Sequence, residues 1–177
     1  LKNLEVTNNI IKDWSYYGIY VSYPDSILIK QNQIISSNNS TTTYPIRIYT
    51  SKGYGLITKN KLQTTCSSSH YGIYIYNKKN APNVPLVISN NFISQTGTNT
   101  NSESYGIYLN KSYHVDVYNN SVWIDGGSTS KGRAFMQNKG GDINIQNNTF
   151  ANTKGGYAYF IKTTNAISSS NYNNYYT

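Results

Sequence analysis

Seven carboxylates, two arginines, two histidines and one cysteine are the side chains of this 177-residue chain that could carry acid–base, nucleophilic or metal chemistry. Glycoside hydrolysis needs a carboxylate pair on one face, one acid and one base or nucleophile. The acids are Glu5, Asp13, Asp25, Glu103, Asp116, Asp125 and Asp142; they mostly fall in different columns of the chain's internal pattern, and no Asp-Asp pair appears. Asp116 aligns with Asn144 rather than with a second acid, and Asp142 lies two residues earlier in its own unit. Asp116 therefore reads as a solvated strand residue. His70 and His114 stand at loop-to-strand entries in different columns and read as polar turn residues. Cys66 is alone, which excludes an intrachain disulfide framework and a cysteine metal cluster. No nucleophile, base and orienting partner can be assembled, so no catalytic residue, metal ligand or cofactor is assigned.

The aromatic residues point elsewhere. Nineteen tyrosines are unusual in a chain with only 12% charged residues, and several recur at fixed places: Tyr17-Gly-Ile-Tyr20-Val, Tyr44-Pro-Ile-Arg47-Ile, Tyr71-Gly-Ile-Tyr74-Ile and Tyr105-Gly-Ile-Tyr108-Leu. The motif degenerates to Gly132-Arg-Ala-Phe-Met136 and Tyr157-Ala-Tyr-Phe-Ile161. In a strand, side chains alternate. With Ile19, Ile46, Ile73 and Ile107 inward, Tyr20, Arg47, Tyr74, Tyr108 and Phe135 are expected outward, with Tyr49 and Tyr76 widening the same face. Exposed rings rimmed by polar residues suit a sugar face; cross-strand ring packing that only stiffens a sheet is the competing reading. By the same parity Tyr17, Tyr44, Tyr71, Tyr105 and Tyr157 are expected inward or packed in a turn.

The elements that carry these columns follow from a second repeat. An apolar residue, two mostly polar residues, Asn, any residue and an apolar residue recur, with the Asn at 9, 32, 60, 90, 120 and 148, separated by 23, 28, 30, 30 and 28 residues. Units of this length holding short alternating strands cannot bury a face alone and must stack. Composition agrees: 20 Ile and 19 Tyr favour strands, whereas Asn, Ser and Thr supply 64 residues suited to turns. A propeller blade needs roughly 40 or more residues. The fold class expected is all-β, a right-handed parallel β-helix of about six to seven coils, with the repeated Asn in left-handed corners and forming an internal amide ladder.

Through the Gly-Ile-Tyr and Asn motifs nearly the whole chain resembles the pectin-lyase-like superfamily of β-helices, especially the repeat proteins secreted by bacteria. The resemblance implies an extracellular or bacterial cell-surface location. That superfamily contains lyases, hydrolases, epimerases, tailspikes and adhesins, so it implies fold more than chemistry. Its hydrolases use outward carboxylates, and its lyases set acidic Ca²⁺ ligands beside a base. Arg47 has no acid near it in its unit, so neither arrangement is legible here.

The net charge of +8 is spread singly except at Lys78-Lys79. It reads as a weakly basic surface and not as a nucleic-acid track. No apolar run approaches the roughly 20 residues of a membrane helix. Residues 1–177 read as a single β-helix segment that begins within a repeat, an excerpt of a longer protein with further domains or chains capping both ends. The expected function is a non-catalytic binding or stalk module whose face of Tyr20, Arg47, Tyr49, Tyr74, Tyr76 and Tyr108 takes a surface glycan, an acidic polysaccharide above others. A lyase or hydrolase fragment and a plain structural spacer are the alternatives.

Overall fold

The structure, a computed structural model, describes residues 2–39, 41–79, 83–98 and 101–177. Among these there are eighteen strands and no helix, and every strand pairing is parallel. The chain is a parallel β-solenoid whose coils present three faces. The first face stacks β1 (Leu4–Thr7), β4 (Ile27–Lys30), β7 (Gly55–Thr58), β10 (Leu86–Ser89), the second half of β12 (Ser104–Tyr118), the second half of β14 (Gly132–Gln146), and β17 (Ile167–Asn171). The second stacks β2 (Ile10–Lys12), β5 (Gln33–Asn39), β8 (Lys61–Cys66), β11 (Phe92–Thr96), β13 (Ser121–Asp125), β15 (Thr149–Asn152) and β18 (Asn174–Tyr176). The third stacks β3 (Tyr17–Ser22), β6 (Tyr44–Tyr49), β9 (His70–Tyr76), the first halves of β12 and β14, and β16 (Tyr157–Ile161).

Inward columns fill the cylinder. Ile29, Ile57, Ile88, Val117 and Ile145 line the first face; Ile34, Leu62, Ile93, Val122 and Phe150 line the second; all are buried. Each such side chain contributes about 1.5–3 kcal/mol by leaving water, and β-branched residues suit stacked strands because their χ1 is already restricted.

The Asn ladder runs at the corner between the first two faces. The Nδ2 groups of Asn9, Asn32, Asn60, Asn91, Asn120 and Asn148 each donate to the Oδ1 of the next ladder Asn, ending at Asn173, over 2.9–3.0 Å. The backbone N–H of each donates to that same oxygen, and the second amide hydrogen reaches a strand carbonyl, as from Asn60 to Ile29 at 3.0 Å. The rung expected at Asn90 is Asn91, because the unit there is one residue longer; a seventh rung, Asn173, was outside the expected set. The left-handed residue is not the ladder Asn but the one before it: Asn8, Gln31, Lys59, Asn90, Asn119, Asn147 and Tyr172 all have positive φ, between 55° and 59°. A left-handed residue turns the chain outward for one step, and the following Asn then returns its amide to the interior.

The third face departs from simple alternation. A Cβ added at Gly106 would lie 2.2 Å from the Cγ1 of core Val122, and at Gly72 2.7 Å from the Cγ2 of core Ile93. The glycine and the isoleucine after it thus both face the core. The tyrosines on either side of that pair both face out. The inward expectation for the Tyr17 column is corrected on this ground. Phe135 is also corrected: it pairs with Ile107 and is fully buried, while Met136 takes the outward position beside Tyr108. The degenerate motif thus runs from Arg133 to Met136, one residue later than its Gly132 start suggests, with Arg133 beside Tyr105.

Candidate functional site: a tyrosine–arginine strip

On the third face two outward columns merge. One is Tyr17, Tyr44, Tyr71, Tyr105, Arg133 and Tyr157; the other is Tyr20, Arg47, Tyr74, Tyr108, Met136 and Phe160. Parallel strands stand about 4.7–4.9 Å apart, which is ring-stacking distance, so register alone stacks the rings. Tyr44 and Tyr71 lie 4.7 Å apart at 12°, Tyr74 and Tyr108 4.8 Å at 11°, and Tyr49 and Tyr76 5.2 Å at 7°. Tyr17 and Tyr20 stack within one coil at 4.8 Å.

Among the residues expected to meet a ligand, Tyr20 is 46% exposed and Tyr74 only 9%; Arg47, Tyr49, Tyr76 and Tyr108 are half-buried. The strip brings all six onto one face. Their ring planes, however, are turned toward one another along the solenoid axis. What the strip offers outward is ring edges, hydroxyls and guanidinium groups.

Arg47 is held between rings: its guanidinium carbon lies 4.9 Å from the Tyr44 centroid, 5.3 Å from Tyr74, 5.6 Å from Tyr17 and 5.8 Å from Tyr20. Its Nη1 donates to the Tyr17 hydroxyl at 2.7 Å, and its buried Nε has no acceptor among the described residues. Arg133 repeats the arrangement in the other column, 4.6 Å from Phe160 and 5.4 Å from Tyr105, with Nη1 donating to the Tyr105 hydroxyl at 3.0 Å. Neither arginine forms an ion pair among the described residues.

Hydroxyl partners fix the rim. The Tyr71 hydroxyl donates to Glu103, and Asn110 and Asn138 donate to the hydroxyls of Tyr74 and Tyr108 at 3.3 and 3.4 Å. Lys111 Nζ donates to the Tyr76 hydroxyl at 3.2 Å. Burial, reinforced by Glu103, pushes the Tyr71 hydroxyl far above the usual phenol range. Burial pushes Tyr44 up to about 12, with Arg47 opposing the shift. These hydroxyls stay protonated and act as neutral donors and acceptors. The sequence reading missed Tyr17, Tyr44, Tyr71, Tyr105, Glu103 and Arg133 as members of the strip; the Gly-Ile doublet, which breaks the alternation, was the available signal.

The structure also joins residues that the sequence kept apart. His114 and Asp142 are cross-coil neighbours with Nε2 and Oδ2 3.8 Å apart, and with Asp116 and Asn144 they line a depression of about 200 Å³ on the first face. Asn144 Nδ2 donates to Asp116 at 2.8 Å and Ser169 donates to Asn144 at 3.1 Å. His70, by contrast, is wholly interior, and burial pushes it down to about 4. Cys66 is a buried free thiol, accepting from the Ser68 N–H at 3.2 Å and donating to the Thr41 carbonyl at 3.3 Å. Among the described residues no group of three or more His, Cys, Asp or Glu is placed to hold a metal ion, and no helix is long and apolar enough to cross a membrane.

Compared with protein-family models, curated proteins and solved structures, the chain has no match.

Proposed function

We propose that the chain is a non-catalytic binding or stalk module of a secreted or bacterial surface protein of the pectin-lyase-like type, and that its tyrosine–arginine strip takes an acidic polysaccharide. The observation that carries this reading is the pair of guanidinium groups held in aromatic surroundings with no carboxylate partner among the described residues. Guanidinium matches carboxylate and sulfate oxygens geometrically, and the excess of +8 draws a polyanion toward the surface. Because the ring faces are already covered by neighbouring rings, the strip engages a polymer through hydroxyls and charge and not through sugar stacking.

The test is titration of the chain with oligogalacturonate and with a neutral oligosaccharide of equal length. The acidic ligand should bind more tightly, weaken as salt is raised, and lose affinity in Arg47→Met and Arg133→Met variants of unchanged melting temperature. Arg47→Lys should retain part of the affinity. Equal binding by the Met variants, or no binding of the acidic oligomer, removes the reading and leaves the structural spacer.

A second reading, a fragment of a polysaccharide lyase or hydrolase, is favoured by the depression holding His114, Asp116 and Asp142, since glycoside hydrolysis works with a pair of carboxylates at one site. Release of reducing ends from a polysaccharide panel, abolished by Asp116→Asn, would establish it.

A further inference from the structure

Trp123 stands apart from the other aromatic residues of the solenoid. It is 39% exposed in the middle of β13, and its outward neighbours one coil away on either side are small, Ser94 and Ala151. Unlike the tyrosines of the third face, its indole makes no contact with another ring or with a cation, and its N–H has no acceptor among the described residues. The indole is therefore stacked on no ring or cation among the described residues, and its donor is unspent. The same outward column continues as Ser94, Gln63 and Ile35, one residue per coil. Together they floor a depression of about 360 Å³ on the second face, within the size range of small-molecule sites.

Its walls are chemically uniform. Ser37, Thr65 and Thr96 flank the column, with the Thr65 and Thr96 hydroxyls 2.8 Å apart, and no lining residue is charged. Three coil steps separate Ile35 from Trp123, about 14 Å at the strand spacing, so the trough runs along the solenoid axis and exceeds one sugar ring in length.

We propose that this trough is a binding site for a neutral oligosaccharide, with one sugar ring stacked on the Trp123 indole and its neighbours hydrogen-bonded by Gln63, Ser94 and the threonine hydroxyls. An aromatic plane beside paired hydroxyl and amide groups matches a pyranose, which has an apolar face and an equatorial rim of hydroxyls. No cation lines the trough itself, Lys12 lying one coil beyond Ile35 and Lys61 two residues before Gln63, and an apolar ligand would leave the hydroxyl walls unpaired at a cost. The site lies on a different face from the tyrosine–arginine strip and stands independently of the function proposed for it.

The experiment titrates the full chain with cellohexaose, laminarihexaose and mannohexaose, following tryptophan fluorescence. Trp14 is buried at 9% exposure, so Trp123 supplies the ligand-sensitive signal. At least one hexaose should shift the emission, with an affinity that raised salt leaves unchanged. Trp123→Ala should lose roughly tenfold or more without a change in melting temperature, and Trp123→Phe should recover part of the loss. Ser94→Lys, which fills the trough from the next coil, should also abolish binding. Failure of all three hexaoses to bind, or undiminished binding by Trp123→Ala and Ser94→Lys, overturns the proposal, whatever the outcome at the strip.

Discussion

Asn60 places both its backbone N–H and its Nδ2 on the single Oδ1 of Asn91, each at 3.0 Å. That one oxygen therefore satisfies two buried donors from the coil below, while the adjacent Asn90 is exposed and left-handed at φ 56°. Two neighbouring asparagines thus have opposite roles.

Asn91→Leu should strand both Asn60 donors in the interior, costing about 1–3 kcal/mol for each. Asn90→Gly should change stability by no more than about 0.5 kcal/mol, since glycine adopts the same backbone geometry freely. Urea denaturation of the two variants measures the difference; equal losses would refute the assignment of rungs.

His70 makes stability depend on acid. Its unfolded value is the ordinary 6.5 and burial lowers the folded one to about 4. Between these values the unfolded chain takes up a proton that the folded chain refuses, so stability is fully present above about pH 6.5 and falls as the pH drops toward 4. The loss from this group is on the order of 3 kcal/mol. His70→Gln removes the titration, so the difference between the two proteins' unfolding free energies should vary over pH 7 to 4 and be flat above. A constant difference across that range would show His70 to be solvated.

Tyr74 and Tyr20 occupy the same outward column but should respond differently to truncation. Tyr74 is sandwiched between Tyr108 and Arg47, whereas Tyr20 is 46% exposed at the first coil of the strip. Tyr74→Ala should cost roughly 2–4 kcal/mol and Tyr20→Ala under about 1 kcal/mol. Thermal melting separates them. Loss of glycan binding in Tyr74→Ala must accordingly be read against its melting temperature.

Periodicity in the residues determined the architecture by itself. Asn one coil apart, Ile at every inward step and turn-forming Ser, Thr and Asn between them leave no way to bury apolar surface except by stacking, so the parallel solenoid and its amide ladder were legible before any coordinates. Local register was not. A unit lengthened by one residue moves the rung from Asn90 to Asn91 without disturbing the sequence pattern, because both positions are asparagine and only the hydrogen bonds distinguish inside from outside. The Gly-Ile doublet likewise reverses parity on the third face, which put Tyr17, Tyr44, Tyr71 and Tyr105 beside the expected column of Tyr20, Arg47, Tyr74 and Tyr108, and the single-residue slip at 132–136 exchanged Phe135 for Met136. Juxtaposition across coils lay beyond the sequence altogether. His114 with Asp142, Glu103 with Tyr71, and Trp123 with Ser94 and Gln63 are about 28 to 60 residues apart in the chain but one or two strand spacings apart in space, and only stacking, which fixes which residue of one coil sits over which residue of the next, could bring them together.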